Sequence, residues 1–269
     1  MFRADLHAHT TCSDGSFIPE ELVVHAKEVG LSALCITDHD NVDAYPSAIP
    51  KAKEIGLILA AGVEFSSVFK EMSVHILGYD IILDHPDLLS LCQRHKQRRI
   101  DRNRAILEKL AARGMPISEE ELMQKGTNLG RPHIAQIMIE KGYVATIKQA
   151  FQLHIGDDAQ CFVRGESISS EETIEQIHKA GGKAFLAHPH LMDHQNKIRE
   201  LLKLPFDGIE CHYAKFLADQ EKRWIKMAKE RQLLISGGSD FHGAAKSYIP
   251  LGCSWVDEQT FNQIFQRRL

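Results

Sequence analysis

The 269-residue chain is 43% hydrophobic and 25% charged, an ordinary globular composition. A net charge of −4 excludes the basic balance of a general nucleic-acid binder, double-stranded DNA included, and no apolar run is long enough to span a bilayer. The N-terminus lacks a signal-peptide pattern and the six cysteines form no C-x-x-C pair, so the expected compartment is the cytoplasm, away from membranes.

In chain order, short apolar runs predict strands at 2–7, 33–38, 57–63, 74–79, 183–187, 207–211 and 233–237. Helical patterns lie between several of them, at 19–29, 43–55, 171–181 and 214–231. Alternating strands and helices predict an α/β fold, a parallel sheet or barrel with helices outside. The rhythm breaks at 85–165, where helical patterns run over 86–113, 118–125, 131–142 and 147–153. The expected organisation is a barrel of residues 1–84 and 166–269 with a helical insertion, 85–165, packed over one end.

Within that insertion, residues 94–113 carry eight Lys or Arg against Asp101 and Glu108. Ile100, Leu107 and Leu110 mark an apolar stripe; Asn103 falls on it and Arg102 borders it. Most of this charge reads as a solvated face, with Arg102 and Asn103 as candidates for more.

The fifteen histidines carry the information. H-A-H-T-T-C-S-D-G follows the first strand, T-D-H-D the second and G-V-E-F-S the third. V-H-I-L-G-Y lies in the fourth, and A-H-P-H, E-C-H and G-G-S-D-F-H-G follow the last three. His7 and His9 share a strand face, because side chains repeat every two residues. In a parallel barrel the strand C-termini share one face. Ionisable groups are costly to bury unless they are paired or bound to metal, so seven such ends point to a site and not to packing. Imidazole with carboxylate suits zinc, manganese or iron. The donors exceed one ion's needs, which implies two or three ions with a carboxylate such as Glu64 bridging a pair. That chemistry fits phosphate ester hydrolysis.

"DLHAHTTCSDGS", "ITDHDNV", "GVEFS", "AHPH" and "GGSDFHG" together resemble the PHP (polymerase and histidinol phosphatase) family, at both ends of the chain. The resemblance implies a distorted seven-stranded TIM-like (β/α)7 barrel with a trinuclear metal site at the strand C-termini. It assigns His7, His9, Glu64 and Asp240 to one ion, Glu64, His75 and His188 to a second, and Asp14, His39 and His242 to a third. It implies water activated by the metals that attacks phosphorus in line, held by Glu64, His7, His9, His188 and Asp240. The "SDG" motif and the "LGRPH" of the insertion resemble the small-nucleotide branch. Its members act as 3',5'-nucleotide bisphosphate or nucleoside monophosphate phosphatases, or as 5'→3' exoribonucleases on short RNA. The histidinol-phosphatase branch usually has His where Asp14 stands.

Arg131 and His133 sit where a helix begins, with Pro132 near its first position, and a helix N-terminus attracts anions. With Arg102 and Asn103 they are the expected phosphate-binding residues. His190, His194 and His212 are candidates for leaving-group protonation. Asp38 and Asp40 are expected to orient ligands, Glu210 either to do the same or to be a buried acid paired to a base, Asp43 to start a helix, and Gly237 and Gly238 to let backbone pass close to the metals. His25, His85, His95, His154 and His178 read as structural or surface residues, and Phe65, Phe69, Tyr79 and Phe216 lie near the motifs. The other class of reading is a non-catalytic metal-binding module; plausible donors at all nine ligand positions argue against it.

Overall fold

A computed structural model describes residues 1–126, 128–157, 159–192, 195–214 and 218–269. His194 and Phe216 therefore lie outside the described residues. The chain divides into two units, Met1–Cys92 with Ile168–Leu269, and Gln93–Ser167.

The first unit is one seven-stranded sheet in sequence order. Its strands are β1 (Ala4–Ala8), β2 (Ala33–Ile36), β3 (Ile58–Phe69), β4 (Met72–Tyr79), β5 (Lys183–Leu186), β6 (Gly208–Tyr213) and β7 (Leu234–Gly238). The edges meet: Asp240 N–H donates to the His7 carbonyl (2.8 Å) and His9 N–H to the Phe241 carbonyl (2.9 Å), so the sheet nearly closes into a barrel. Gly238 allows this approach, since a Cβ there would lie 2.4 Å from the His7 nitrogen.

The all-parallel expectation needs correction at one strand. β4 is antiparallel to both β3 and β5. β3 runs on to Phe69 and turns back through Lys70 and Glu71, both in left-handed backbone (φ 46° and 68°). The reversal pairs His75, early in β4, with Ser66 of β3, two residues beyond Glu64.

Helices α1 (Pro19–Glu28), α2 (Tyr45–Ile55), α7 (Ser170–Lys179), α8 (Gln195–Leu201), α9 (Ala218–Glu230) and α10 (Glu258–Ile264) belong to this unit. The first begins on Pro19, with Glu20 and Glu21 in the first turn and Lys27 in the last, which complements the helix dipole. Leu22, Val23 and Ala26 form its buried face. Asp43 does not cap α2; Ala44 holds that position, and the Asp43 N–H donates to Asn41 Oδ1 (2.9 Å). The main core joins these helices to the strands, and Phe261 and Ile264 of α10 complete a second cluster with Leu77, Tyr79 and Phe185.

The second unit holds most of α3 (Pro86–Ala111), then α4 (Glu119–Met123), α5 (Arg131–Glu140) and α6 (Ile147–Ala150), which runs into a π-helical turn, Phe151–Ile155. It begins later than residue 85 because Leu88 and Leu91 of α3 are buried in the main core of the first unit. Its own core includes Ile106, Leu107, Leu110, Ile134, Ile137 and Met138. Ile100 is not part of it: it is 42% exposed and lines a small pocket with Met123. Among the described residues no helix is long and apolar enough to cross a membrane.

Candidate metal centre

Glu64 stands mid-way along β3, fully buried, with five imidazoles around its carboxylate. Oε2 lies 3.2 Å from His7 Nε2, His9 Nε2 and His39 Nδ1. Oε1 lies 2.9 Å from His75 Nδ1 and 2.8 Å from His188 Nε2. The Asp240 carboxylate approaches from beyond β7, its Oδ1 3.4 Å from His7 Nε2 and 3.3 Å from His9 Nε2. On the β1–α1 loop, Asp14 Oδ1 lies 3.3 Å from His242 Nε2 and 3.7 Å from His9 Nδ1, while Oδ2 lies 3.8 Å from His39 Nε2.

All nine sequence-predicted ligand residues thus meet in one place. Their donor atoms form three groups spaced to hold an ion: His7, His9, Glu64 and Asp240; His9, Asp14, His39 and His242; and His39, Glu64 and His75. The first has the same members as the set that the family resemblance implies for one ion. His9 and His39 each turn one ring nitrogen to Glu64 and the other to Asp14, so they serve two groups where sequence assigned them one. His188 lies outside the three groups and reaches the centre through Glu64.

The donors fit cations. His7 Nε2, His9 Nε2, Asp14 Oδ1 and Glu64 Oε2 are buried with no hydrogen-bond partner among the described residues. Such atoms carry a desolvation cost that a metal would relieve. The electrostatics agree. Burial alone would favour the neutral acids, yet His39, His7 and His75 hold Glu64 well below the usual carboxylate range. His242 and His39 do the same for Asp14, and Lys246 and His7 for Asp240. Burial opposes charge on His9, but Asp240, Glu64 and Asp14 raise it to about 9. Burial pushes His39 down to about 3. At His7 and His9, where ionised carboxylates favour the protonated ring, divalent cations would compete with the proton for the same nitrogens.

Surrounding groups fix the rings. The Glu210 carboxylate, wholly buried on β6, accepts from His7 Nδ1 (2.8 Å) and from the backbone N–H of His188 (2.7 Å). That leaves His7 Nε2 as the lone-pair nitrogen facing the centre. His242 Nδ1 donates to the Asp240 carbonyl (2.8 Å), which frees its Nε2 toward Asp14. Asp38 accepts from Thr10 N–H and Ser13 Oγ, shaping the loop beside His9. Asp40 accepts from Ser66 N–H (2.7 Å). Asp40, His188 and Asp240 all adopt positive φ (60°, 24° and 57°), and such strain gathers at functional sites. Two residues that sequence reasoning missed, Tyr213 and Lys246, each donate to Asp240 Oδ2 at 2.7 Å. Lys246 closely follows the G-G-S-D-F-H-G motif, the one sequence signal that could have drawn attention to it.

Of the protonation candidates, His190 is held neutral by burial and by His188, its pKa pushed down to about 4. His212 pairs with Glu221 (3.4 Å) and lines a crevice with Trp255 and Asp257. The expected phosphate-binding residues lie in the second unit. Arg131 opens α5, bonds Asp157 (2.7 Å) and packs over Phe151 and Phe162. His133 Nδ1 accepts the Gly130 N–H (3.0 Å), closing the helix cap. Asn103 donates to the Leu129 carbonyl (2.9 Å), and its buried Oδ1 has no hydrogen-bond partner among the described residues; Arg102 is 8% exposed.

The PHP domain model matches residues 5–211, ending short of Asp240 and His242. The chain is 34% identical over 260 residues to a 5'-3' exoribonuclease of Haemophilus influenzae, covering 94% of this chain and 92% of that protein. It is 29% identical over 260 residues to a 3',5'-nucleoside bisphosphate phosphatase of Chromobacterium violaceum, covering 94% and 91%. A crystal structure from Bifidobacterium adolescentis, assigned as a metal-dependent phosphoesterase, superposes with a TM-score of 0.88 at 29% identity, covering 97% and 94%.

Proposed function

The chain belongs to the PHP family, and on that premise we propose that it is a metal-dependent phosphoesterase acting on phosphate monoesters of small nucleotides, a 3',5'-nucleotide bisphosphate or a nucleoside 5'-monophosphate. The observation that carries the proposal is the convergence of buried imidazole and carboxylate atoms, without hydrogen-bond partners, around Glu64. Two or three divalent ions, manganese, zinc or iron, would be held by His7, His9, Asp14, His39, Glu64, His75, His188, Asp240 and His242. Bound there, they would supply Lewis acidity, bringing the pKa of water toward neutrality and offsetting charge on phosphoryl oxygens.

The chain's own groups set that chemistry up. Glu64 presents both oxygens to opposing imidazoles and so joins neighbouring positions. Glu210 locks the His7 tautomer. Burial strengthens each electrostatic contact. Arg102, Asn103, Arg131 and His133 are the residues proposed to bind substrate phosphate.

A second reading, 5'→3' removal of nucleotides from short RNA, is favoured by the higher identity to the Haemophilus exoribonuclease. Hydrolysis of 3'-phosphoadenosine 5'-phosphate and of a 5'-phosphorylated oligoribonucleotide, each with manganese, separates the two. Release of phosphate from the first alone supports the phosphatase. Stepwise release of mononucleotides from the second supports the exoribonuclease. Hydrolysis of neither overturns both.

A further inference from the structure

Asp240 is unlike the other carboxylates of the centre in how its two oxygens are used. Its Oδ1 faces the ring nitrogens of His7 (3.4 Å), His9 (3.3 Å) and His242 (3.5 Å). Its Oδ2 accepts from the Tyr213 hydroxyl and the Lys246 ammonium, both at 2.7 Å. The two donors come from separate places: Tyr213 ends β6, and Lys246 ends the 3-10 turn Gly243–Lys246. The backbone is fixed as well, by the Asp240 N–H bond to the His7 carbonyl and a left-handed φ of 57°. With its base held and one oxygen occupied, the carboxylate cannot rotate to offer both oxygens to one ion. Charge-assisted bonds of this kind are about twice as strong as neutral ones.

We propose that Tyr213 and Lys246 are positioning residues that hold Asp240 as a one-oxygen ligand, keeping a coordination position of the His7–His9–Glu64–Asp240 group open for the substrate's phosphate. The inference rests on the proposed reading of this centre as a metal site. Tyr213 also stands edge-on to His188, ring centroids 6.2 Å apart, but it is its hydroxyl that bonds Asp240, so both residues are expected to act on metal affinity and turnover together, with the fold intact.

The test is manganese binding to the full chain, read from loss of the free-ion electron paramagnetic resonance signal, with Tyr213→Phe, Lys246→Met, the double variant and Lys246→Arg. Lys226→Met, a 77% exposed side chain paired with Glu230, is the control. Tyr213→Phe and Lys246→Met are each expected to weaken manganese binding by about tenfold, the lower end of the range for outer partners of metal ligands. Because both bonds meet on one oxygen, the double variant is expected to depart from the product of the two single effects. Lys246→Arg is expected to recover most of the affinity, and Lys226→Met to match the unaltered protein. A changed line shape of the bound ion at an unchanged melting temperature separates positioning from a merely structural role. If Lys246→Met fails to fold, Tyr213→Phe, which keeps the ring, decides. Unaltered affinity and line shape in the single and double variants would overturn the proposal while the metal-site reading stands. An unaltered protein that binds no manganese would overturn both.

Discussion

Around Glu64, histidine and carboxylate atoms lie buried with no hydrogen-bond partner among the described residues, whereas Arg131 and His133 of the helical unit each bond a neighbour in their own unit. An unsatisfied buried polar atom costs on the order of 1–3 kcal/mol, so several kept together in one pocket mark a place built around something else. Arg131 stacked on two phenylalanines and bonded to Asp157 is stable without a ligand. Binding a phosphate there means exchanging Asp157 for it. Asn103, whose buried Oδ1 has no hydrogen-bond partner among the described residues, is the residue of that set closest in character to the centre.

The contrast can be broken most directly at Glu64. Glu64→Gln keeps the shape but removes charge facing five imidazoles, and should cut kcat by more than about 100-fold, beyond the range for outer partners of metal ligands. Bound metal measured on the same protein should fall with it. Near-normal turnover would show that the centre is not organised around this carboxylate.

Glu210→Gln probes one layer further out. Loss of the charged acceptor behind His7 should weaken metal affinity by about 10–100-fold, read by calorimetric titration with manganese. An unchanged affinity would mean that the ring is held by packing alone.

pH sharpens the comparison with a smaller effect. His9 is raised to about 9 from an ordinary value near 6.5, so its protonation stabilises the metal-free fold fully below about 6.5 and ceases to as pH rises through 9. Glu64, Asp14 and Asp240 are depressed, so their contribution is present above about 4 and is lost only as pH falls through their lowered values. In a chelator the melting temperature should therefore decline between about pH 6.5 and 9. With saturating manganese the opposite slope is expected there, because protons and metal compete for the same nitrogens. Parallel slopes with and without metal would remove the centre's role in that pH range.

The smallest effect belongs to the helical unit. Arg131→Ala should raise KM by about tenfold, the worth of one charge-assisted hydrogen bond, with bound metal unchanged. A change in metal content with KM untouched would reverse the assignment of roles between the units.

Much of this was legible in the sequence. The seven strands lie at the short apolar runs, because a strand buried on both faces leaves little ambiguity of pattern. His7 and His9 follow from the two-residue repeat of β1. The start of α5 follows from Gly130, Arg131 and Pro132. Where local pattern does not bear on the question, sequence fell short. Asp43 has the chemistry of a cap but stands one residue too early. Ile100 fits the α3 periodicity but lines a pocket.

By itself, then, the sequence determined the kind of chemistry: imidazoles and carboxylates recurring in or just after the apolar runs. Only the tertiary structure decided how the donors are shared. The reversal of β4 brings His75 to Glu64, and the rings of His9 and His39 each face two carboxylates. Glu210, Tyr213 and Lys246 take their places behind His7 and Asp240 in the same way. The physical reason is separation along the chain. Periodicity fixes which face a side chain takes within its own strand, but a 2.8 Å contact between His7 and Glu210, 203 residues apart, exists only once the sheet has curled until its edges meet.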